Sequence, residues 1–280
     1  MKQEMFNPLE HPVCLDYPGW IDATAWAEHV PFAMFLVSAA RPRTIVELGA
    51  YRGVSYCAFC QAVKALELST KCHAVDTWQG DPHAGNIDET VLGRLRLHHD
   101  PLYGDFSTLI PSTFGEALVH FSDATIDLLH IDGFHTYQAV KDDFESWLPK
   151  LSDRGIVLFH DTNVRRDDFG VWRFWEEVRS LHRSFEFVHG HGLGILAVGN
   201  EIPAGVQFLF SANEEQTNLI RKFFSGLGAR IEAVRTRGEQ LGYIEDLKTY
   251  EKIVNGSRIL RLYRVLKSEG LPGAIKRARR

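Results

Sequence analysis

The segment FEFVHGHGLGILAVG, residues 185–199, decides the fold. Its two strand-like runs, 185–189 and 193–198, are separated only by Gly190-His191-Gly192. A parallel crossover takes a dozen or more residues, so these runs form an antiparallel hairpin. Working back from it, short β-branched runs alternate with longer amphipathic stretches. Strands are expected at 44–48, 71–76, 107–110, 125–131 and 155–160, and helices near 54–66, 113–121, 137–151 and 169–182. That alternation gives a mostly parallel sheet covered on both faces. The expected fold is α/β and Rossmann-like, a seven-stranded sheet with six parallel strands and one antiparallel. Residues 1–43 read as a helical N-terminal cap, 44–200 as the sheet domain, and 201–280 as a mainly helical C-terminal extension.

The first strand runs into Glu47-Leu48-Gly49-Ala50-Tyr51-Arg52-Gly53-Val54-Ser55. Small residues at such a joint let the backbone turn tightly and approach a ligand at the following helix N-terminus. The spacing is Glu-x-Gly-x-x-x-Gly and lacks the middle glycine of the dinucleotide fingerprint, which favours S-adenosylmethionine over NAD. The second strand ends at Asp76, followed by Thr77 and Trp78. An acidic side chain there accepts hydrogen bonds from ribose hydroxyls. Trp78 suits either a cover over the adenosine or packing of the loop. The expected cofactor contacts are Glu47, Gly49, Ala50, Tyr51, Gly53, Ser55, Asp76, Thr77, Trp78 and Asp132.

The fourth and fifth strands deliver Asp132 and Asp161 to neighbouring positions on the carboxyl edge, where open α/β sheets bind ligands. Two carboxylates with an amide or hydroxyl are hard oxygen donors suited to Mg²⁺ or another divalent cation. His135, three residues past Asp132, is the expected base for an acceptor hydroxyl. The bland readings are a loop cap for Asp161, a cofactor contact for Asp132 and a structural imidazole for His135. Cys57-x-x-Cys60 has no second pair or histidine in register, so packing accounts for it better than zinc. His130 and His160 lie in apolar strand runs and read as core histidines, whereas His189 and His191 flank the final hairpin.

Composition bounds the rest. Hydrophobic residues make up 45% and charged residues 24%, ordinary for a globular chain. The net charge of -5 divides into +7 over residues 256–280 and -12 over the remainder. A body that acidic lacks the basic footprint of a nucleic-acid binder. No apolar run approaches the ~18 residues of a membrane span, and no secretory signal pattern is present. Four cysteines make no disulfide framework in 280 residues, so a cytoplasmic protein with reduced thiols is expected. Arg258, Arg261, Arg264 and Lys267 line one side of a basic amphipathic stretch, suited to an anionic membrane surface or a protein partner.

The strings IVELGAYRGVSYCAFCQAV (45–63), HAVDTWQGD (73–81), IDLLHIDGFHTYQAVKDDFESWLPKLSDRGIVLFHDTNV (126–164) and FGVWRFWEEV (169–178), with AWAEHVPFAMFLV (25–37) and the hairpin, carry a family resemblance. They resemble bacterial class I S-adenosylmethionine-dependent methyltransferases encoded with, or fused to, glycosyltransferases. More distantly they are similar to macrocin-type sugar and catechol or caffeoyl-CoA O-methyltransferases. The resemblance covers about residues 10–200. It implies that Asp132 and Asp161 are metal ligands. Thr162 replaces the family's adjacent asparagine, leaving Asn163 one step away as third ligand, and His135 stands where catechol O-methyltransferase has a lysine base.

The expected function is metal-assisted O-methylation of a saccharide or glycan-precursor hydroxyl. The alternatives are metal-independent N- or O-methylation of a small metabolite, or a catalytically silent scaffold for glycosyltransferases. A glycosyltransferase partner, contact with the inner membrane surface through the basic tail, and homo-oligomerisation all stay open.

Overall fold

The computed structural model describes residues 6–83 and 85–256, with side chains through 240. It divides into two units, Met1–Glu232 and Ala233–Arg280. The basic stretch at 257–280 lies outside the described residues. Seven strands form the main sheet: β1 (Thr44–Leu48), β2 (Lys71–Asp76), β3 (Ser107–Pro111), β4 (Ile126–Ile131), β5 (Leu151–His160), β6 (Arg183–Phe187) and β7 (Leu193–Ala197). Their order is β3-β2-β1-β4-β5-β7-β6. Only β7 runs against the others, pairing antiparallel with both β5 and β6. This is a Rossmann-like sheet, with six parallel strands and one antiparallel. Outside it, Gly80–Asp81 and Gly85–Asn86 make a small hairpin of their own.

The pleat sorts side chains to opposite faces with period two. Ile45, Leu128, Ile156 and Leu158 enter one apolar layer, while Val46, Leu129, Val157 and Phe159 enter the other. The first layer is covered by α1 (Val30–Ala40), α2 (Val54–Ala65) and α3 (Thr90–Tyr103), and the second by α4 (Phe114–Ala117), α5 (Tyr137–Trp147) and α6 (Val171–Val178). Helix α1 is apolar all round, and all eleven of its residues are buried. Behind it, Phe224 of α8 (Glu214–Gly256) packs edge-on against Phe32 and Phe35, after the short α7 (Gln207–Ser211). No described helix is long and apolar enough to cross a membrane.

Three positions on the first face break the apolar pattern: Glu47, His130 and His160, all buried. His130 Nδ1 lies 2.9 Å from Glu47 Oε2, and Ser55 donates to Glu47 Oε1 at 2.9 Å. The Trp26 indole N–H points at His130 Nε2, 3.2 Å away. That donor makes Nε2 the acceptor, so the His130 proton sits on Nδ1 and faces Glu47. Burial lifts the Glu47 carboxyl above its usual range, with His130 and Ser55 pulling the other way.

Candidate active site

The strand order reverses between β1 and β4, and there the loops at their carboxyl ends part to leave a cavity of about 530 Å³. One end is built by the turn after β1. Gly49 has φ +91°, and a Cβ there would stand 2.1 Å from the Asp132 carbonyl oxygen, so only glycine lets the two loops touch. Asp76 closes this end. Its Oδ2 accepts from the Tyr51 amide at 2.8 Å and its Oδ1 from the Trp78 amide at 2.7 Å. Burial raises its pKa, partly countered by these amides.

Gly49, Ala50, Tyr51, Gly53, Ser55, Asp76, Thr77 and Asp132 all line the cavity. Two of the expected cofactor contacts sit elsewhere. Glu47 is turned into the core by its bonds to His130 and Ser55. Trp78 is buried, with its indole N–H on the Tyr51 carbonyl at 2.8 Å, so it braces the glycine turn from behind. This end of the cavity thus combines the turn Gly49–Ser55 with the Asp76 carboxylate.

At the other end Asp132, His135 and Asp161 bring three donor atoms within 4.8 Å of one another. His135 Nε2 is 3.0 Å from Asp161 Oδ2 and 3.9 Å from Asp132 Oδ1. His160 Nδ1 lies 3.2 Å from Asp132 Oδ1 and 3.5 Å from Asp161 Oδ2, and its Nε2 faces the Gly190 carbonyl at 3.1 Å. Both His160 nitrogens thus face acceptors. Burial disfavours its charge, but the two carboxylates outweigh that and raise its pKa well above the ordinary value. The His135 pKa is raised by the same contest, burial against the Asp161 hydrogen bond and the charges of both aspartates. Asp161 is driven far down: burial opposes its ionisation, but His160, His135 and His191 overwhelm that penalty. Its φ of 62° is unusual for a non-glycine residue and turns the carboxylate into the cluster.

Because β7 is antiparallel, the link from β6 returns to this same edge. His191 Nδ1 reaches Asp161 Oδ1 at 3.0 Å, and the ring is 47% exposed on the cavity wall. Gly192, at φ +90°, makes this return fit, since a Cβ would meet Thr162 Oγ1 at 2.6 Å. Asn163, the third metal ligand expected from sequence, faces away. Its amide donates to the Val188 carbonyl at 3.0 Å and accepts from Arg165 at 2.9 Å, which leaves His135 as the third donor beside the aspartates. Cys57 and Cys60 are buried in α2 and belong to the apolar layer.

Residues 46–162, spanning β1 to the end of β5, match the family described as a methyltransferase domain. The matched stretch is similar to a methyltransferase domain. Over 195 residues the chain is 52% identical to the uncharacterized protein y4gI of Sinorhizobium fredii, a match covering 69% of this chain. The chain spans about a fifth of that relative's length, 21%. Among solved structures, a putative caffeoyl-CoA O-methyltransferase from Staphylococcus aureus is similar at 16% identity and TM-score 0.49, over 69% of this chain and 90% of that one. The O-methyltransferase TomG from Streptomyces achromogenes, solved with S-adenosylmethionine, matches at 15% identity and TM-score 0.47, over 71% and 99%.

Proposed function

We propose that this methyltransferase domain moves the methyl group of S-adenosylmethionine to a hydroxyl oxygen, with a divalent cation held by Asp132, His135 and Asp161. Saccharide or glycan-precursor hydroxyls are the proposed acceptors. One observation carries the reading: a bare glycine turn with Asp76, and a carboxylate–imidazole cluster, form opposite ends of a single cavity. Its volume suits a drug-sized ligand. When bound, S-adenosylmethionine supplies an activated sulfonium methyl and the cation polarises the acceptor oxygen.

The chain's residues supply positioning and proton removal. Asp76 accepts from the Tyr51, Trp78 and Ala50 amides, and the remaining acceptor capacity of its carboxylate is offered to the ribose hydroxyls from the cavity lining. Donor atoms on one ion at about 2.1 Å stand roughly 3–4 Å apart, and the His135 Nε2 distances of 3.0 and 3.9 Å to the aspartates fit that. With His135 among the donors, the base is His191. Asp161 Oδ1 accepts its Nδ1–H, which leaves Nε2 to take the acceptor proton. The saccharide class is supported by the resemblance of residues 10–200 to glycosyltransferase-associated enzymes. Contact with a glycosyltransferase or an anionic membrane through 257–280 belongs to the same proposal.

The cofactor half is tested by calorimetry with S-adenosylhomocysteine. Asp76→Ala removes two charge-assisted hydrogen bonds, roughly 2–4 kcal/mol, and affinity should fall about thirty- to a thousandfold. Undiminished binding by this variant would remove Asp76 from the cofactor site.

A further inference from the structure

The expected oxygen-only donor set pointed to Mg²⁺, but the cluster contains an imidazole, and that imidazole has partners of its own. His83 stands in the turn of the Gly80–Asn86 hairpin. Its Nε2 is 2.6 Å from Asp168 Oδ1, and its Nδ1 is 3.2 Å from His135 Nδ1. An ionised carboxylate only accepts, so His83 carries its proton on Nε2 and, as a neutral ring, presents a lone pair from Nδ1. Without an ion, His135 Nε2 donates to Asp161 Oδ2 at 3.0 Å. A cation at the cluster would take the place of that proton. His135 would then keep its remaining proton on Nδ1, donated to the His83 Nδ1 lone pair 3.2 Å away, which leaves Nε2 as the ligand atom facing Asp132 and Asp161. Phe169 locks the arrangement, stacked on His83 at 4.5 Å and 12° and on His135 at 4.7 Å and 9°. A gap in the chain of 52 residues between the histidines, and of 85 between His83 and Asp168, is closed by three loops meeting at one ring stack.

We propose that His83 and Asp168 are positioning residues that present His135 Nε2 as an imidazole ligand, so that the site prefers a transition ion such as Mn²⁺ or Co²⁺ over Mg²⁺. This rests on the reading of Asp132 and Asp161 as an ion site. Outer partners of this kind fix the tautomer and plane of a ligating histidine, and removing one weakens metal binding roughly 10–100-fold. Mg²⁺ takes oxygen ligands and sheds water reluctantly, whereas first-row transition ions accept an imidazole beside carboxylates, with affinity rising from Mn²⁺ to Co²⁺.

The test uses the full chain with Mn²⁺ alone, followed by titration and pulsed electron paramagnetic resonance. Mn²⁺ should bind at least about tenfold tighter than Mg²⁺. The bound ion should show nitrogen-14 coupling that disappears in His135→Asn. His83→Ala should weaken Mn²⁺ about 10–100-fold, with His83→Gln as the milder variant, while S-adenosylhomocysteine affinity stays at the wild-type value and reports an intact fold. Mn²⁺ bound without nitrogen coupling overturns the ligand role. Unchanged Mn²⁺ affinity in His83→Ala overturns the positioning role. Failure of the wild type to bind any divalent ion, with S-adenosylhomocysteine still bound, removes the ion site and this inference together but leaves the cofactor site standing.

Discussion

Turnover falls about 10²–10⁴-fold when His191 is replaced by Asn, the range for loss of a general base, while S-adenosylhomocysteine and Mn²⁺ bind as before. Asparagine is the appropriate substitute because His191 has φ 69°, a left-handed conformation that Asn tolerates. Its amide can still donate toward Asp161 Oδ1, where the native ring makes its 3.0 Å contact, but it cannot accept a proton. The expected signature is a fall in kcat with little change in KM for any hydroxyl acceptor the wild type methylates. A His191→Asn enzyme with normal kcat would return the base role to His135, the residue to which sequence first assigned it.

Replacing Glu47 with Ala costs about 2–6 kcal/mol of unfolding free energy, the range for leaving two buried donors unsatisfied. The carboxylate is fully buried and receives both the His130 Nδ1–H and the Ser55 hydroxyl. Alanine leaves those two buried donors without their acceptor. Glu47→Gln keeps a carbonyl oxygen for one of them and should lose much less. Urea denaturation of both variants measures the difference. Equal stability of Glu47→Ala and wild type would mean that the network does not hold the β1–β4 joint together. Because Ser55 also lines the cavity and Trp26 borders it, the alanine variant should weaken S-adenosylhomocysteine binding as well.

The sheet was legible because its signals are local. Three residues between 189 and 193 allow only a hairpin, and buried strands such as β4 read as short apolar runs bounded by polar turns. Edges were less so: β5 begins at Leu151, four residues before the run that sequence picks out, because it pairs past an irregularity between Ile126 and Leu128. Helix α3 escaped notice. Its 14 residues have a glycine, two histidines and Pro101 interrupting the apolar positions, and only Val91, Leu95, His99 and Tyr103 are buried.

At the site, Asp76, Asp132 and Asp161 were legible because each ends a recognisable strand. Side-chain direction was not. Spacing alone does not reveal that Asn163 is held by Val188, that Trp78 turns behind the glycine loop, or that Glu47 faces a histidine 83 positions away. His83, Asp168 and His160 have no motif; only the meeting of loops from separate strands assembles them. His191 had one usable signal, its place in a hairpin that must return to the edge where β5 ends.

The most direct test of the account is transfer of a labelled methyl group from S-adenosylmethionine to a panel of monosaccharide, nucleotide-sugar and catechol hydroxyls, with and without excess chelator. The account predicts label in at least one hydroxyl acceptor, its loss in chelator, and its recovery when Mn²⁺ is added back in excess. Full transfer in excess chelator, or label found only on nitrogen acceptors, would contradict it.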